Sequence, residues 1–249
     1  MTDSRLLFTV ADLLLSRVTR SSDKVVIRSD RGSLTYGEID ERSRVVADNL
    51  HALGVRRGDS VATMVQETHQ AVAVWFACAR AGFVEVPLSV ELKGELLVEA
   101  VQGANCSIVI AGDDPAVIQQ LDSLEERLPR RVEVSSLEHA ASIEERCDQP
   151  LGPDEISLIL YTSGTTGRSK GVRLSDRMTL RLAWSIVDNA GLGGNDVLLT
   201  VFPLHHVAAR LLLNTAAARS LPVLRLVKRC TKQLAESGRR PISKPSELD

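Results

Sequence analysis

The chain has 249 residues, of which 44% are hydrophobic and 25% charged, and its 30 basic and 32 acidic residues give a formal net charge of −2. This is the composition of an ordinary globular protein. It excludes a disordered chain, a collagen-like repeat and a strongly basic nucleic-acid-binding protein. The length predicts one or two domains with a substantial buried core.

The cysteines and the apolar runs predict a cytoplasmic protein with no membrane span and no metal site. The chain has four cysteines, Cys78, Cys106, Cys147 and Cys230. They form no Cys-x-x-Cys pair and no histidine lies at zinc-ligand spacing, which is typical of thiols in a reducing compartment. The stretch 6–15 resembles a signal-peptide core, but Asp12 and the arginines after it favour an amphipathic helix. The longest apolar run, 71–79, is far shorter than the roughly 20 residues that cross a bilayer.

Strands and helices alternate in the first part of the sequence. Thr35 and Glu38 have capping-box spacing, so we predict a helix that begins at Tyr36 and ends near Gly54. Further patterns predict strands over 60–65, 83–88 and 107–111, and helices over 70–80, 92–102 and from Pro115, which Asp114 caps. Because helices between strands make crossover connections, the sequence predicts an α/β fold with a mostly parallel sheet.

The second part of the sequence begins with a predicted surface linker over 138–154. A strand buried on both faces is predicted over 156–161, a helix over 176–189, and two further strands over 197–202 and 221–227. Residues 229–249 contain almost no large apolar side chains. We therefore predict one domain over 1–228 and a disordered tail over 229–249.

The segment 161–171, with the sequence YTSGTTGRSKG, carries the chemistry. Glycines let the backbone amides approach an anion closely, and Lys170 adds a positive charge suited to phosphate oxygens. The segment is not a Walker A loop, because serine precedes Lys170 and glycine follows it. Composition alone leaves two interpretations open, a phosphate-binding loop and a polar turn between two strands.

The string LYTSGTTGRSKGV at 160–172 resembles the characteristic loop of the AMP-forming, adenylate-forming ligases, which include acyl-CoA synthetases, peptide-synthetase adenylation domains and luciferases. Ser169 departs from the family pattern, in which proline is usual. Further stretches that resemble motifs of this family, in the expected order, are LTYGEI at 34–39, LGVRRGDSV at 53–61, ARAGFVEVPL at 79–88 and FPLHHV at 202–207. Together they cover most of 25–225, so the chain is identified as a member of this family.

The resemblance implies the N-terminal portion of the adenylate-forming ligase fold. It implies a carboxylic acid substrate, ATP with Mg²⁺ as cofactors, CoA as a possible acceptor of the acyl group, and a place in fatty acid metabolism. The residues that it implies for the β- and γ-phosphates are Thr162, Ser163, Gly164, Thr165, Thr166, Gly167 and Lys170. It implies that His206 lines the acyl pocket; the alternative is a histidine at a helix start that the backbone satisfies. The stretch 86–97 is more similar to carboxylate-CoA ligases than to peptide-synthetase domains.

Three other histidines have no motif support, and we expect them at the surface: His51, His69 and His139. The family's later motifs, for a Mg²⁺-binding glutamate, a ribose-binding aspartate, the hinge and the catalytic lysine, are not found in this sequence. Lys244 lacks the glycine that precedes that lysine, so no catalytic residue is assigned.

We therefore expect a truncated AMP-dependent acyl-CoA synthetase that is inactive alone. One alternative is a non-catalytic nucleotide-binding or interaction protein derived from such a ligase, and another is an unrelated phosphate-binding α/β protein. Apolar surface left exposed on a partial domain predicts a complementary polypeptide or self-association. The balanced charge predicts no nucleic acid partner.

Overall fold

Two sheets organise the part of the chain that the computed structural model describes, residues 9–139, 147–162, 170–193, 196–219 and 222–225. The strands in these ranges are β1 (Val25–Ser29), β2 (Gly32–Thr35), β3 (Ser60–Met64), β4 (Val84–Pro87), β5 (Cys106–Ala111), β6 (Arg131–Glu133), β7 (Ile156–Thr162), β8 (Lys170–Ser175), β9 (Leu198–Thr200) and β10 (Val223–Arg225). The helices are α1 (Val10–Ser21), α2 (Tyr36–Ala52), α3 (Thr68–Ala81), α4 (Gly94–Gly103), α5 (Pro115–Asp122), α6 (Val134–Leu137), α7 (Asp176–Asn189) and α8 (Val207–Arg219).

The larger sheet has six strands in the order β6-β5-β3-β4-β7-β8. Every neighbouring pair is parallel except β7 and β8, which form an antiparallel hairpin. The helices α3, α4 and α5 each connect one parallel strand to the next, as parallel pairing requires. The predicted α/β class and mostly parallel sheet are confirmed.

The smaller sheet has four strands in the order β2-β1-β10-β9. β1, β10 and β9 are parallel, whereas β2 is antiparallel to β1. Ile27 pairs with Val223, so this sheet joins the beginning of the described chain to its end. The sequence patterns do not predict this division into two sheets, because they identify strands and not their partners.

The helix α3 is buried on nearly all sides and lies between two parts of the core. Trp75 packs with the α1, α8 and β1 side chains, while Val74 packs with those of α2, β3 and β5. A helix without a polar face needs neighbours all around it. This burial makes one prediction wrong: His69, expected at the surface, is only 7% exposed and its Nε2 lies 3.1 Å from Ser29 Oγ.

Local capping signals give correct helix ends. The capping box of Thr35 and Glu38 begins α2, and Asp114 caps α5 with Pro115 in its first turn. The helix α3 ends at Gly82, which has a left-handed φ of +71°. A Cβ atom at Gly82 would overlap the carbonyl oxygen of Gln149, so both the backbone angle and the close approach require glycine.

Asp176 joins α1 to the larger sheet. Its carboxylate accepts hydrogen bonds from the Val10 amide at 2.8 Å and from the Ser157 hydroxyl at 2.5 Å. Burial raises the pKa of Asp176, and the two hydrogen bonds oppose the rise.

Several predicted boundaries move in the structure. The N-terminal helix begins at Val10, after its N-cap Thr9, and continues to Ser21, beyond the predicted end at 15, and β9 is shorter than predicted. Residues 6–8 of the predicted first helix and residues 221 and 226–227 of the predicted last strand lie outside the described residues. His139 is exposed and His51 is half-buried. The linker residues 140–146 and the predicted tail 229–249 lie outside the described residues. Among the described helices, none combines the length and the hydropathy that a membrane span needs.

Candidate functional site

The predicted phosphate loop lies between two hydrogen-bonded strands. β7 ends at Thr162 and β8 begins at Lys170, and these two residues are paired in the antiparallel ladder. β7 is an interior strand between β4 and β8. The structure thus brings Thr162 and Lys170 together, both exposed, at the base of the loop. The other loop residues predicted to bind phosphate lie outside the described residues: Ser163, Gly164, Thr165, Thr166 and Gly167.

This hairpin stands at the carboxyl edge of the parallel strands. Glu85 on β4 pairs with Leu158 on β7, and Thr162 lies four residues further along β7, at its carboxyl end. Ligands of open α/β sheets bind at this edge, where the loops that follow the strands diverge. A groove with a volume of about 850 Å³ opens at the ends of the neighbouring strands, and of the described residues neither Thr162 nor Lys170 lines it. Its lining includes the residues that follow β3, β4 and β5, among them Val65, Ser89, Val90, Glu91 and Gly112.

The groove carries charges of both signs. Arg31 and Arg42 line it together with Glu67, Asp113 and Glu138. The Gln70 amide donates to Asp113 at 2.9 Å and to Glu138 at 3.3 Å. Within the described ranges, no three histidine, cysteine, aspartate or glutamate side chains are arranged to hold a metal ion.

His206 lies at the start of α8, after β9. Its backbone carbonyl accepts from the amides of Ala209 and Arg210, and its own amide donates to Pro203. Its ring is exposed, with its centroid 5.8 Å from that of Phe202 and 5.5 Å from that of His205. His205, and not His206, lines the groove. The backbone at His206 is satisfied at a helix start, and its ring remains available to a ligand.

A buried ion pair connects α8 to β4, and the motifs did not reveal it. Arg210 Nη2 lies 2.5 Å from Glu85 Oε1, and the two side chains are 3% and 2% exposed. Arg210 Nε donates to the Leu204 carbonyl at 2.6 Å, and its guanidinium carbon lies 4.8 Å from the centre of the Trp75 ring. Burial raises the pKa of Glu85, while Arg210 and the Thr63 hydroxyl oppose the rise. The sequence offered one signal for this pair: Glu85 and Arg210 are charged residues with apolar neighbours in β4 and α8.

Tyr161 fixes the base of the hairpin. Its hydroxyl donates to the Ala100 carbonyl on α4 at 2.8 Å. Its ring lies beside Gly171, the residue with which it pairs across the ladder. A Cβ atom at Gly171 would lie 3.0 Å from Ile159 Cγ2 and 3.3 Å from Tyr161 Cζ. The glycine next to Lys170 therefore makes room for the aromatic ring that attaches the hairpin to α4.

A family model described as "AMP-binding enzyme" matches residues 14–229. The chain belongs to this family. It is 33% identical over 196 residues to feruloyl-CoA synthase of Amycolatopsis sp, a match that covers 78% of this chain and 38% of that protein. It is 29% identical over 196 residues to crotonobetaine/carnitine–CoA ligase of Salmonella agona (strain SL483), covering 70% and 36%. The chain thus spans well under half the length of these relatives.

Solved structures share the fold. o-Succinylbenzoate CoA synthetase (MenE) from Bacillus subtilis superimposes with a TM-score of 0.82 at 22% identity, covering 90% of this chain and 46% of that one. VinN in complex with 3-methylaspartate gives a TM-score of 0.79 at 24% identity, covering 93% and 64%. The ligase family and the partial adenylate-forming ligase fold expected from the sequence are confirmed.

Proposed function

We propose that this chain is part of an AMP-forming acyl-CoA ligase, and that its loop at 162–170 holds the β- and γ-phosphates of ATP while a carboxylic acid is activated. The hairpin carries the proposal: the exposed Lys170 and Thr162 are paired at the carboxyl edge of an interior strand. The family match and the relatives that form CoA thioesters support the same reaction class. A MenE structure in complex with ATP and magnesium ion supports the choice of nucleotide.

Lys170 and Thr162 have separate roles in this proposal. The Lys170 ammonium donates to phosphate oxygens and offsets their negative charge, and the Thr162 hydroxyl donates a further hydrogen bond. ATP, when bound, supplies the α-phosphorus that a carboxylate attacks and the pyrophosphate that leaves. We assign no step to Mg²⁺, which proteins usually bind through one or two carboxylates together with the phosphates of the substrate. We propose the exposed His206 ring for the acyl side of the site.

We further propose that the chain alone binds nucleotide without completing the reaction, because the matched regions make up only 38% and 36% of the two relatives. A second candidate is a non-catalytic interaction protein with a complementary polypeptide as its partner. It is favoured by apolar side chains exposed along and after β9, where Leu199, Val201 and Phe202 are 46%, 61% and 45% exposed. CoA as acceptor belongs to the proposal, whereas fatty acid metabolism and a cytoplasmic location stay predictions.

Calorimetric titration of the purified chain with ATP and with pyrophosphate tests the phosphate site. Losing one charge-assisted hydrogen bond costs about 1.5–3 kcal/mol, so we expect Lys170→Met to weaken binding roughly 10-fold or more. Arg173→Met removes an exposed positive charge from the same strand and is the matched control, for which we expect little change. Equal losses in both variants would mean that only the overall charge of the hairpin matters, and no loss in Lys170→Met would refute the site.

Exchange of labelled pyrophosphate into ATP tests whether the chain is inactive alone. We expect no exchange with any of a panel of carboxylic acids. Exchange clearly above that of a Lys170→Ala control would show that the chain activates acids without further parts.

A further inference from the structure

Arg210 is surrounded by groups from three separate parts of the chain. Its Nη2 pairs with Glu85 on β4, its Nε donates to the Leu204 carbonyl, and its guanidinium covers Trp75 of α3. Residues 202–206, which we name the His206 loop, connect β9 to α8 and contain that carbonyl. Arg210 therefore touches both the His206 loop and the larger sheet.

Stability alone does not explain such a pair. Taking two charges out of water costs several kcal/mol per ion, and replacing a buried pair with apolar side chains is often neutral. This pair is also incompletely bonded, because Glu85 Oε2 and Arg210 Nη1 have no hydrogen-bond partner. What the guanidinium supplies is geometry, since its planar, fixed fork of donors sets two directions at once.

The two anchors of Arg210 belong to the two regions of the proposed site. Glu85 pairs with Leu158, four residues before Thr162 on the strand that leads into the phosphate loop. Leu204 lies two residues before His206, and the His206 carbonyl accepts from the Arg210 amide at 3.3 Å. One side chain thus connects the His206 loop to β4, the strand beside the hairpin of β7 and β8, which we name the phosphate hairpin.

We propose that Arg210 is a positioning residue that holds the His206 loop in place relative to the phosphate hairpin. A lysine at this position keeps the charge opposite Glu85 but, as a single point donor, does not hold the Leu204 carbonyl at the same time. The importance of this placement for ligands rests on the proposed function, whereas the placement itself does not.

The double variant Glu85→Leu/Arg210→Met removes both charges and leaves apolar side chains of similar size. We expect it to fold with an unchanged unfolding midpoint. Amide hydrogen exchange, measured for residues 202–209 without nucleotide, is expected to accelerate roughly 10-fold or more, because the Leu204 carbonyl loses a charged donor. The ring proton signals of His205 and His206 are expected to shift in the same variant.

The matched control is the other buried arginine of the described residues, Arg80 on α3. Arg80 is 8% exposed and pairs with Asp40 on α2, without contact to the His206 loop. Asp40→Leu/Arg80→Met is expected to leave exchange of the loop unchanged. Equal acceleration in both double variants, or none in Glu85→Leu/Arg210→Met, would overturn the proposal.

Arg210→Lys decides the question if the double variant does not fold. Its loop is expected to exchange faster at an unchanged midpoint, and wild-type exchange in this variant would also overturn the proposal. Titration of the same samples with ATP distinguishes a failure of the proposed function from a failure of the proposed role of Arg210. A wild-type chain that binds no ATP defeats the proposed function while the exchange result still reports on Arg210.

Discussion

The contact between Tyr161 and Gly171 allows a quantitative test of how the phosphate hairpin is held. A Cβ atom at Gly171 would lie 3.0 Å from Ile159 Cγ2 and 3.3 Å from Tyr161 Cζ, closer than the 3.5–4.0 Å at which carbon atoms attract best. Gly171→Val adds two further methyl groups at this point. Either the Tyr161 ring or the strand β8, and Lys170 with it, must therefore move.

The expected cost combines three contributions. Overpacking costs about 1–3 kcal/mol. Losing the hydrogen bond from Tyr161 to the Ala100 carbonyl costs about 1 kcal/mol more. The better strand propensity of valine returns up to about 1 kcal/mol. We therefore expect Gly171→Val to lower the free energy of unfolding by about 1–3 kcal/mol and Gly171→Ala to change it by less than about 1 kcal/mol.

Urea unfolding followed by tryptophan fluorescence measures these changes. Gly152→Val is the control, because the nearest atom to its Cβ is a carboxylate oxygen of the exposed Glu155, at 3.2 Å, and not an aromatic ring or a strand backbone. In a Tyr161→Ala background the ring is gone, so Gly171→Val is expected to cost about 1 kcal/mol less than in the wild type. Additive effects of the two substitutions, or a Gly171→Val variant as stable as the wild type, would refute this explanation of the hairpin.

Three further changes have defined outcomes. Asp176→Asn replaces a carboxyl whose pKa is raised in the folded chain. The stability that this carboxyl contributes is fully present below its ordinary pKa of about 3.9 and is lost as the pH rises through the folded pKa. The urea midpoint of the wild type is therefore expected to fall relative to that of the variant between pH 4 and pH 8, and a constant difference between the two midpoints contradicts this. Gly82→Ala and Gly54→Ala both place alanine at a positive φ, +71° and +97°, which costs about 1–2 kcal/mol each. Only the Cβ atom at position 82 overlaps the Gln149 carbonyl, so thermal unfolding should show a larger loss of stability for Gly82→Ala than for Gly54→Ala. Equal losses of stability would argue against the clash. Burial raises the pKa of Cys106 to about 12, so about one thiol in 10⁴ is ionised at pH 8. Labelling of Cys106 with iodoacetamide, mapped by mass spectrometry, should therefore be slow until urea is added. Fast labelling of the folded chain would contradict this.

The parts of the fold that were predictable are those whose causes are local. The capping box of Thr35 and Glu38 and the Asp114 cap set helix starts through groups within three residues of each other. The limits of α7 were predicted from its amphipathic repeat, and in the structure the side chain of Ser175 caps its start. The ends of β9 were not predictable, because they depend on which of its residues pair with β10.

Long-range pairing explains the remaining differences. Nothing near Ile27 or Val223 in the sequence indicates that these residues pair, and that pairing creates the second sheet. His69 was expected at the surface because it carries no motif. It is buried because α3 has neighbours on nearly all sides, a property of the assembled core.

In the candidate site, too, the local features were predictable and the long-range contacts were not. The phosphate loop was found because its donors stand in one contiguous string, whereas Glu85 and Arg210 are 125 residues apart. Each of them is nevertheless an anomaly in the sequence, a charged residue with apolar neighbours inside a strand or a helix. A buried charge needs a partner of opposite sign, so Glu85 in a strand with apolar neighbours already predicts a cation close to it. Which cation it is depends on how α8 packs against β4, and that arrangement is present only in the folded chain.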